Sequence, residues 1–97
     1  MVEVMYIGGL YFTRGVQTLI DNKEIDNQEI WNCVARHVNL DYGDTDPHDV
    51  GINERNLNHN CGTVHSSYMI NGIRVWVITS LGDVDTTYTT VLLPMEY

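Results

Sequence analysis

The densest chemistry in this sequence lies between Arg36 and Asn53. A guanidinium, an imidazole and three carboxylates follow one another as Arg36, His37, Asp41, Asp44 and Asp49, with Tyr42 and Asn53 beside them. Hard carboxylate oxygens suit a divalent cation. A histidine held against carboxylates can serve as a general base. A structural account covers the same residues: Asp44 and Asp46 can cap a turn and a helix, Arg36 can pair with a carboxylate, and Gly43 permits the bend. Charged clusters also arise as structural networks, and we prefer that account. The catalytic or metal reading requires His37 and the aspartates to converge.

Other chemistry is sparser. Cys33, His37, His59, Cys61 and His65 are zinc-ligand types, but their spacing lacks the paired cysteines of a zinc signature. Ser66 and Ser67 fall on an expected strand without the glycine elbow that exposes a nucleophile. Ile7-Gly8-Gly9-Leu10 lacks the further glycine and the lysine of a phosphate loop. Trp31 and Trp76 have no basic neighbours to make them base-stacking platforms, so both are assigned to core faces. No cofactor is implied. The two cysteines read as reduced thiols.

Charge excludes more than motifs do. The 97 residues carry a net charge of −8. Binding to nucleic acid by phosphate neutralisation needs clustered Lys and Arg, and an anionic membrane would repel the chain. The acid is concentrated: residues 21–54 hold nine carboxylates against Lys23 and Arg36, a net −7. Such a stretch can be a solvated surface that keeps the protein soluble. It can also imitate a line of phosphates and enter a basic groove through charge-assisted bonds. Glu24, Glu29, Asp41, Tyr42, Asp44, Asp46 and Asp49 are the residues expected to make that contact. No apolar run approaches the ~20 residues of a membrane-spanning helix, and no signal peptide is recognisable at the start. The expected location is the cytoplasm.

The elements that must position these residues follow from pattern. Length allows one domain, 1–97. Residues 2–12 are β-formers around a glycine pair and predict a short strand with a bulge. Thr13 can cap a short helix with Val16, Leu19 and Ile20 on one face. Asp26 or Asn27 can cap a second, with Glu29 near its positive end. Trp31, Val34, Ala35 and Val38 form its apolar stripe, widened by Ile30, with Cys33 and His37 on another side. Asp46-Pro47 starts a third helix. Asn71-Gly72 predicts a type I′ hairpin pairing residues 63–70 with 73–79, so that Ile70 faces Ile73, Tyr68 faces Val75 and Ser66 faces Val77. Residues 80–85 make a loop, and Thr86 to Leu93 form a further strand stopped by Pro94. The fold class is α+β: two or three N-terminal helices packed on one face of a C-terminal three-stranded antiparallel meander, with the N-terminal segment as an added edge strand.

Nearly the whole chain resembles a family of small proteins carried on bacterial plasmids and phages, the "plasmid-related proteins". The resemblance rests on Thr13-Arg14-Gly15-Val16, on Ala35-Arg36-His37-Val38, and on Asp41-Tyr42-Gly43-Asp44, where the family usually has Asp-Trp-Gly-Asp. Asp49, Asn53 and Leu57 follow, then Val75-Trp76-Val77-Ile78-Thr79, Thr89-Thr90-Val91-Leu92-Leu93-Pro94 and Glu96-Tyr97. The chain departs from the family after Thr79: a longer loop, Ser80 to Thr86, replaces a short turn and carries no arginine. The resemblance implies a compact fold and a mobile-element setting, and no mechanism. In that setting the expected function is a non-enzymatic acidic inhibitor of a host defence system (anti-CRISPR or anti-restriction). Its partner would be a protein or nucleoprotein complex with a basic groove. The alternative is a small enzyme or ligand-binding domain using Arg36, His37, Asp41 and Asp44. A homodimer joined through the hydrophobic third strand of the meander is a further reading.

Overall fold

A computed structural model describes residues 4–97. Val2 and Glu3 of the expected N-terminal strand lie outside the described residues. The chain order is β1 (Gly9–Phe12), α1 (Arg14–Asp21), α2 (Asn27–Val38), α3 (Pro47–His59), β2 (Thr63–Ile70), β3 (Ile73–Ser80), β4 (Tyr88–Leu92), then a 3-10 turn over Pro94–Glu96. The fold is α+β, with three helices and a four-stranded mixed sheet ordered β1-β4-β3-β2.

The meander forms in the expected register. Ile70 pairs with Ile73, Tyr68 with Val75 and Ser66 with Val77, and the Asn71-Gly72 turn takes positive φ at both residues, as a type I′ hairpin requires. β4 pairs antiparallel with β3. Thr86 and Thr87, expected in that strand, instead close the preceding loop, where the Thr86 hydroxyl accepts from the Asp83 N–H at 2.8 Å. β1 joins the outer side of β4 in parallel orientation. β4 is therefore an interior strand, paired on both sides. Gly8, at φ +61°, lets the chain enter β1 against the main chain of Thr87, where a Cβ would overlap the Thr87 carbonyl oxygen.

One sheet face carries the helices. Val16, Ile30, Val34, Tyr68, Val75, Val77 and Val91 are buried there. Thr13 caps α1, accepting from the Val16 N–H. Asp26 and Glu29 form a reciprocal capping box on α2. The buried stripe of α2 is Ile30, Cys33, Val34 and His37, rotated by one residue from the expected Trp31, Val34, Ala35 and Val38. Trp31 is 47% exposed. Both stripes satisfy the i, i+3, i+4, i+7 pattern. The sheet offers hydrogen-bond partners to the His37 ring, which removes the cost of burying it.

On the opposite sheet face, among the described residues, the C-terminus packs against the strands. The 3-10 turn folds Tyr97 back so that its ring lies 5.6 Å from that of Trp76, which meets His65 edge-on at 4.5 Å. Glu96 anchors this turn, accepting from the Thr13 hydroxyl at 2.6 Å, the Gly15 N–H at 3.0 Å and the Leu93 N–H at 2.9 Å. These bonds, the Thr13 hydroxyl foremost, hold the Glu96 carboxyl below the usual carboxylate range.

α3 lies along the outer edge of β2. A second apolar cluster of Met5, Tyr42 and Val64 packs there with Leu40, Val50 and Leu57. An exposed strand edge presents unpaired main-chain groups, and this one is closed from Thr63 to Ser67. Tyr42 and Asp44 bond to both main-chain groups of Ser67, at 3.1 and 2.7 Å. Asn53 bonds to both main-chain groups of His65, at 2.8 and 2.9 Å. Asn56 donates to the Thr63 carbonyl at 2.8 Å. Among the described residues no helix is long and apolar enough to cross a membrane.

Candidate functional site

The cluster between Arg36 and Asn53 is divided among four places. At the C-terminal end of α2, Arg36 meets Asp41 through two bonds, Nε to Oδ2 at 2.8 Å and Nη2 to Oδ1 at 3.2 Å. The guanidinium also lies 4.8 Å over the Tyr68 ring. Arg36, and secondarily the Gly43 N–H, holds the Asp41 carboxyl below the usual range. Asp41 in turn raises Arg36. Both side chains are about half exposed, so the pair contributes little to stability, on the order of 0.5 kcal/mol. Its main effect is to hold the turn: the Tyr68 hydroxyl donates to the Asp41 carbonyl at 2.6 Å, and Gly43, at φ +64°, brings the chain onto β2 where any Cβ would strike the Ser67 carbonyl.

Tyr42 is 7% exposed and packs into the second apolar cluster. Burial raises its phenol above the ordinary value, and the hydroxyl has no hydrogen-bond partner among the described residues. It is a core residue and offers little surface for the partner contact expected of it. Asn53 is 2% exposed and wholly engaged with His65.

His37 is 0% exposed and lies between β2 and β3, away from the aspartates. Nδ1 meets the Ser66 hydroxyl, and Nε2 meets the Thr79 hydroxyl at 2.8 Å. Thr79 meets Thr89 at 2.6 Å, and Thr89 donates to the Ile7 carbonyl at 2.8 Å. The proton order follows from the far end. The Ile7 carbonyl can only accept, so Thr89 spends its one proton there and accepts from Thr79. Thr79 then accepts from His37, which carries its proton on Nε2 and accepts from Ser66 on Nδ1. Every group is satisfied with a neutral ring. Burial, and secondarily the neighbouring His65, pushes the imidazole down to about 4. Such a ring has neither substrate access nor a carboxylate to orient it, so the general-base role expected as an alternative loses its base.

The remaining carboxylates gather at the β2 margin. Asp44, Asp46 and Asp49 line a depression of about 270 Å³ with Thr45, His65, Ser67 and Trp76. Asp44 is paired with Arg74 at 2.8 Å. Asp46 precedes α3 without a side-chain cap bond, and Asp49 follows in the first turn. Neither of these two carboxylates has a hydrogen-bond partner among the described residues. His65, half buried at the back of the depression, is lowered by burial, and Asp49 acts against that shift. Glu24 and Glu29 lie elsewhere. With Asp26 and Lys23 they line a hollow of about 440 Å³ where α1 turns into α2, next to the hairpin tip. Asn71 donates there to the Glu24 carbonyl at 3.2 Å.

Among the described residues no three His, Cys, Asp or Glu side chains come together as a metal site. Cys33 is buried, with its thiol raised by that burial, and Cys61 is exposed. Two features escaped sequence reasoning. Ser66 and Thr79 could have been found together from the hairpin register, which places both on the buried sheet face, whereas Thr89 joins them only through the pairing of β4 with β3. The exposure of Trp31 left no such signal.

The fold and site together define a small α+β domain that seals its one buried histidine in hydroxyls and carries two unpaired carboxylates, Asp46 and Asp49, at a sheet margin. Comparison with protein-family models, curated proteins and solved structures finds no match for the chain.

Proposed function

We propose that the protein is a non-enzymatic accessory factor of a mobile element, one that inhibits a host defence complex by docking a carboxylate-bearing surface into a basic groove. The observation that supports it most is the grouping of Asp44, Asp46 and Asp49 in one depression beside Trp76 and His65. Among the described residues neither Asp46 nor Asp49 has an ion-pair partner, so within this depression they are the strongest contributors. Asp41 and Asp44 each have an arginine partner already and contribute less. Glu24 and Glu29 form a second acidic patch. The sequence resemblance to plasmid- and phage-borne proteins supplies the setting, in which a basic nucleic-acid groove is the natural target. Long-range attraction of this kind weakens as salt shortens the screening length.

The test is affinity capture from host lysate by wild type and by the Asp46→Lys/Asp49→Lys variant. Both positions are exposed, so the variant should fold. Loss of the captured complex in the variant, and in wild type above ~0.5 M salt where screening is nearly complete, is the expected result. Capture that survives the double reversal overturns the reading.

A further inference from the structure

The two edges of the sheet are treated differently. The β2 edge is closed by Asn53, Asn56 and the segment 42–44. The β1 edge has no such cover among the described residues. The Thr13 N–H donates to the Val91 carbonyl at 3.1 Å, and main-chain direction alternates along a strand. Tyr11 therefore faces β4, while the N–H and C=O groups of Leu10 and Phe12 point outward. No hydrogen bond from another described residue reaches them. Beside them a groove of about 380 Å³ is lined by Leu10, Tyr11, Phe12, Gln17 and Trp31. Trp31, 6.2 Å from Phe12 between ring centroids, forms its wall.

We propose that the outer edge of β1 is a strand-accepting site, which takes an extended segment of a partner polypeptide carrying an apolar side chain at alternate positions and basic residues at its ends. Main-chain bonds to Leu10 and Phe12 would supply the pairing, as in other strand additions. Alternate side chains of the guest would fall on Trp31 and on Tyr11, at opposite faces of the sheet. No charged side chain lines the groove, so an apolar guest buries no unpaired charge there. The chain as a whole carries −8, most of it in residues 21–54 to which α2 and Trp31 belong, which favours Lys or Arg at the ends of the guest. A second copy fits poorly. Two-fold β1 pairing would join two −8 chains over four residues, about 13 Å of strand, which supplies little of the ~800 Å² per partner of a stable interface. This site is separate from the acidic margin, which lies at the other sheet edge about three strand spacings, roughly 14 Å, away.

The probe is a synthetic peptide, Lys-Thr-Val-Thr-Val-Thr-Lys, titrated into the full chain and followed by amide NMR and amide exchange. In the free protein the Leu10 and Phe12 amides should exchange fast and that of Tyr11 slowly. On titration, Leu10, Phe12 and the Trp31 indole should shift and the two amides should slow. A peptide with proline at its centre, which loses a main-chain bond, should bind about tenfold more weakly, equivalent to about 1.4 kcal/mol. A Glu-ended peptide should also bind more weakly. Trp31→Lys, at an exposed position, should lower affinity by a similar factor, and so should Leu10→Pro, which removes the outward N–H together with a side chain packed on the core. Slow exchange at Leu10 and Phe12 in the free monomer overturns the proposal. So does protection that grows with protein concentration, which would make the edge a contact between copies, and so does equal binding of the proline peptide. Charge reversal at Asp46 and Asp49 should leave peptide binding within about twofold once salt is present, which separates this site from the acidic margin.

Discussion

Acidification should destabilise the protein well before its carboxylates titrate, because His37 can be accommodated only as a neutral ring. An ordinary histidine titrates near 6.5, and this one is held at about 4. Between those values the unfolded chain binds a proton that the folded chain refuses, so stability falls as pH falls. Above pH 6.5 the full contribution is present, and below pH 4 nothing further is lost. The slope approaches 1.36 kcal/mol per pH unit, which gives about 2 kcal/mol at pH 5 and about 3 kcal/mol by pH 4. A domain of this size has roughly 5–10 kcal/mol in all, so the loss is large. Asp41 and Glu96, whose pKa values are lowered, act in a separate window, since their stabilisation fades only as pH drops through the carboxylate range. His65 is lowered in the same direction as His37 and must be removed from the comparison. The assay is urea unfolding of the His65→Gln variant at pH 7.5, 6.0 and 5.0, with ring nitrogen NMR of His37. Burial, the larger cause of the His37 shift, remains in this variant while the smaller one, His65, is gone, so the expected result is a loss of up to about 2 kcal/mol by pH 5 and a proton on Nε2. A slope under ~0.3 kcal/mol per unit across that window, or a ring that titrates near 6.5, would refute the argument from the hydroxyl chain.

The rotation of α2 is testable in the same unfolding assay. Ile30→Ala should cost about 3 kcal/mol, the usual loss for a fully buried aliphatic side chain, whereas Trp31→Ala should cost under ~1 kcal/mol despite its larger ring; the reverse order would restore the stripe read from sequence. Asn53→Ala should cost about 2–4 kcal/mol, because it strands both main-chain groups of His65 at the β2 edge. Asn53→Asp should fare little better, since a carboxylate cannot donate to the His65 carbonyl, and a near-neutral Asn53→Asp would show that water replaces the side chain there.

Local signals in the sequence carried most of the elements and little of their arrangement. Thr13, Asp26 and Asp46-Pro47 mark helix starts because each satisfies or avoids the free N–H groups of a first turn, and all three hold. Asn71-Gly72 specifies both the hairpin and its register, because few other residues tolerate positive φ twice in succession. The buried stripe of α2 is rotated from the one the pattern predicts, and takes in Cys33 and His37. The burial of His37 depends on Ser66 and Thr79, which are distant in sequence and visible only once the register is laid against the helix. The parallel docking of β1 on β4 had no local signal either. It depends on α1 to α3 carrying the chain across the sheet, and on Gly8 passing the Thr87 main chain. The site followed the same rule. Sequence proximity offers Arg36 a carboxylate without naming which, and the turn supplies Asp41, whereas His37, Tyr42 and Asp49 are dispersed by the helix, the turn and the sheet edge that each belongs to.

The unequal edges also limit what this sheet can assemble into. A sheet with two open edges can add copies of itself without end, since each added strand presents a new edge. Here α3 lies along the β2 edge, and the side chains of Asn53 and Asn56 occupy positions that a neighbouring strand would fill. A strand added at β1 therefore has no counterpart at β2, and head-to-tail growth by this chain stops at the first contact. The same asparagines bring the start of α3, with Asp46 and Asp49, to the margin of the sheet face opposite the helices. Sealing the edge and presenting the acid are thus two results of one placement. Asn53→Ala should consequently weaken both, loosening the helix from β2 and moving the two carboxylates away from Trp76 and His65. An Asn53→Ala variant that loses stability yet keeps Asp46 and Asp49 in place, read by unchanged NMR shifts of the Trp76 and His65 rings, would separate the two effects and break this link.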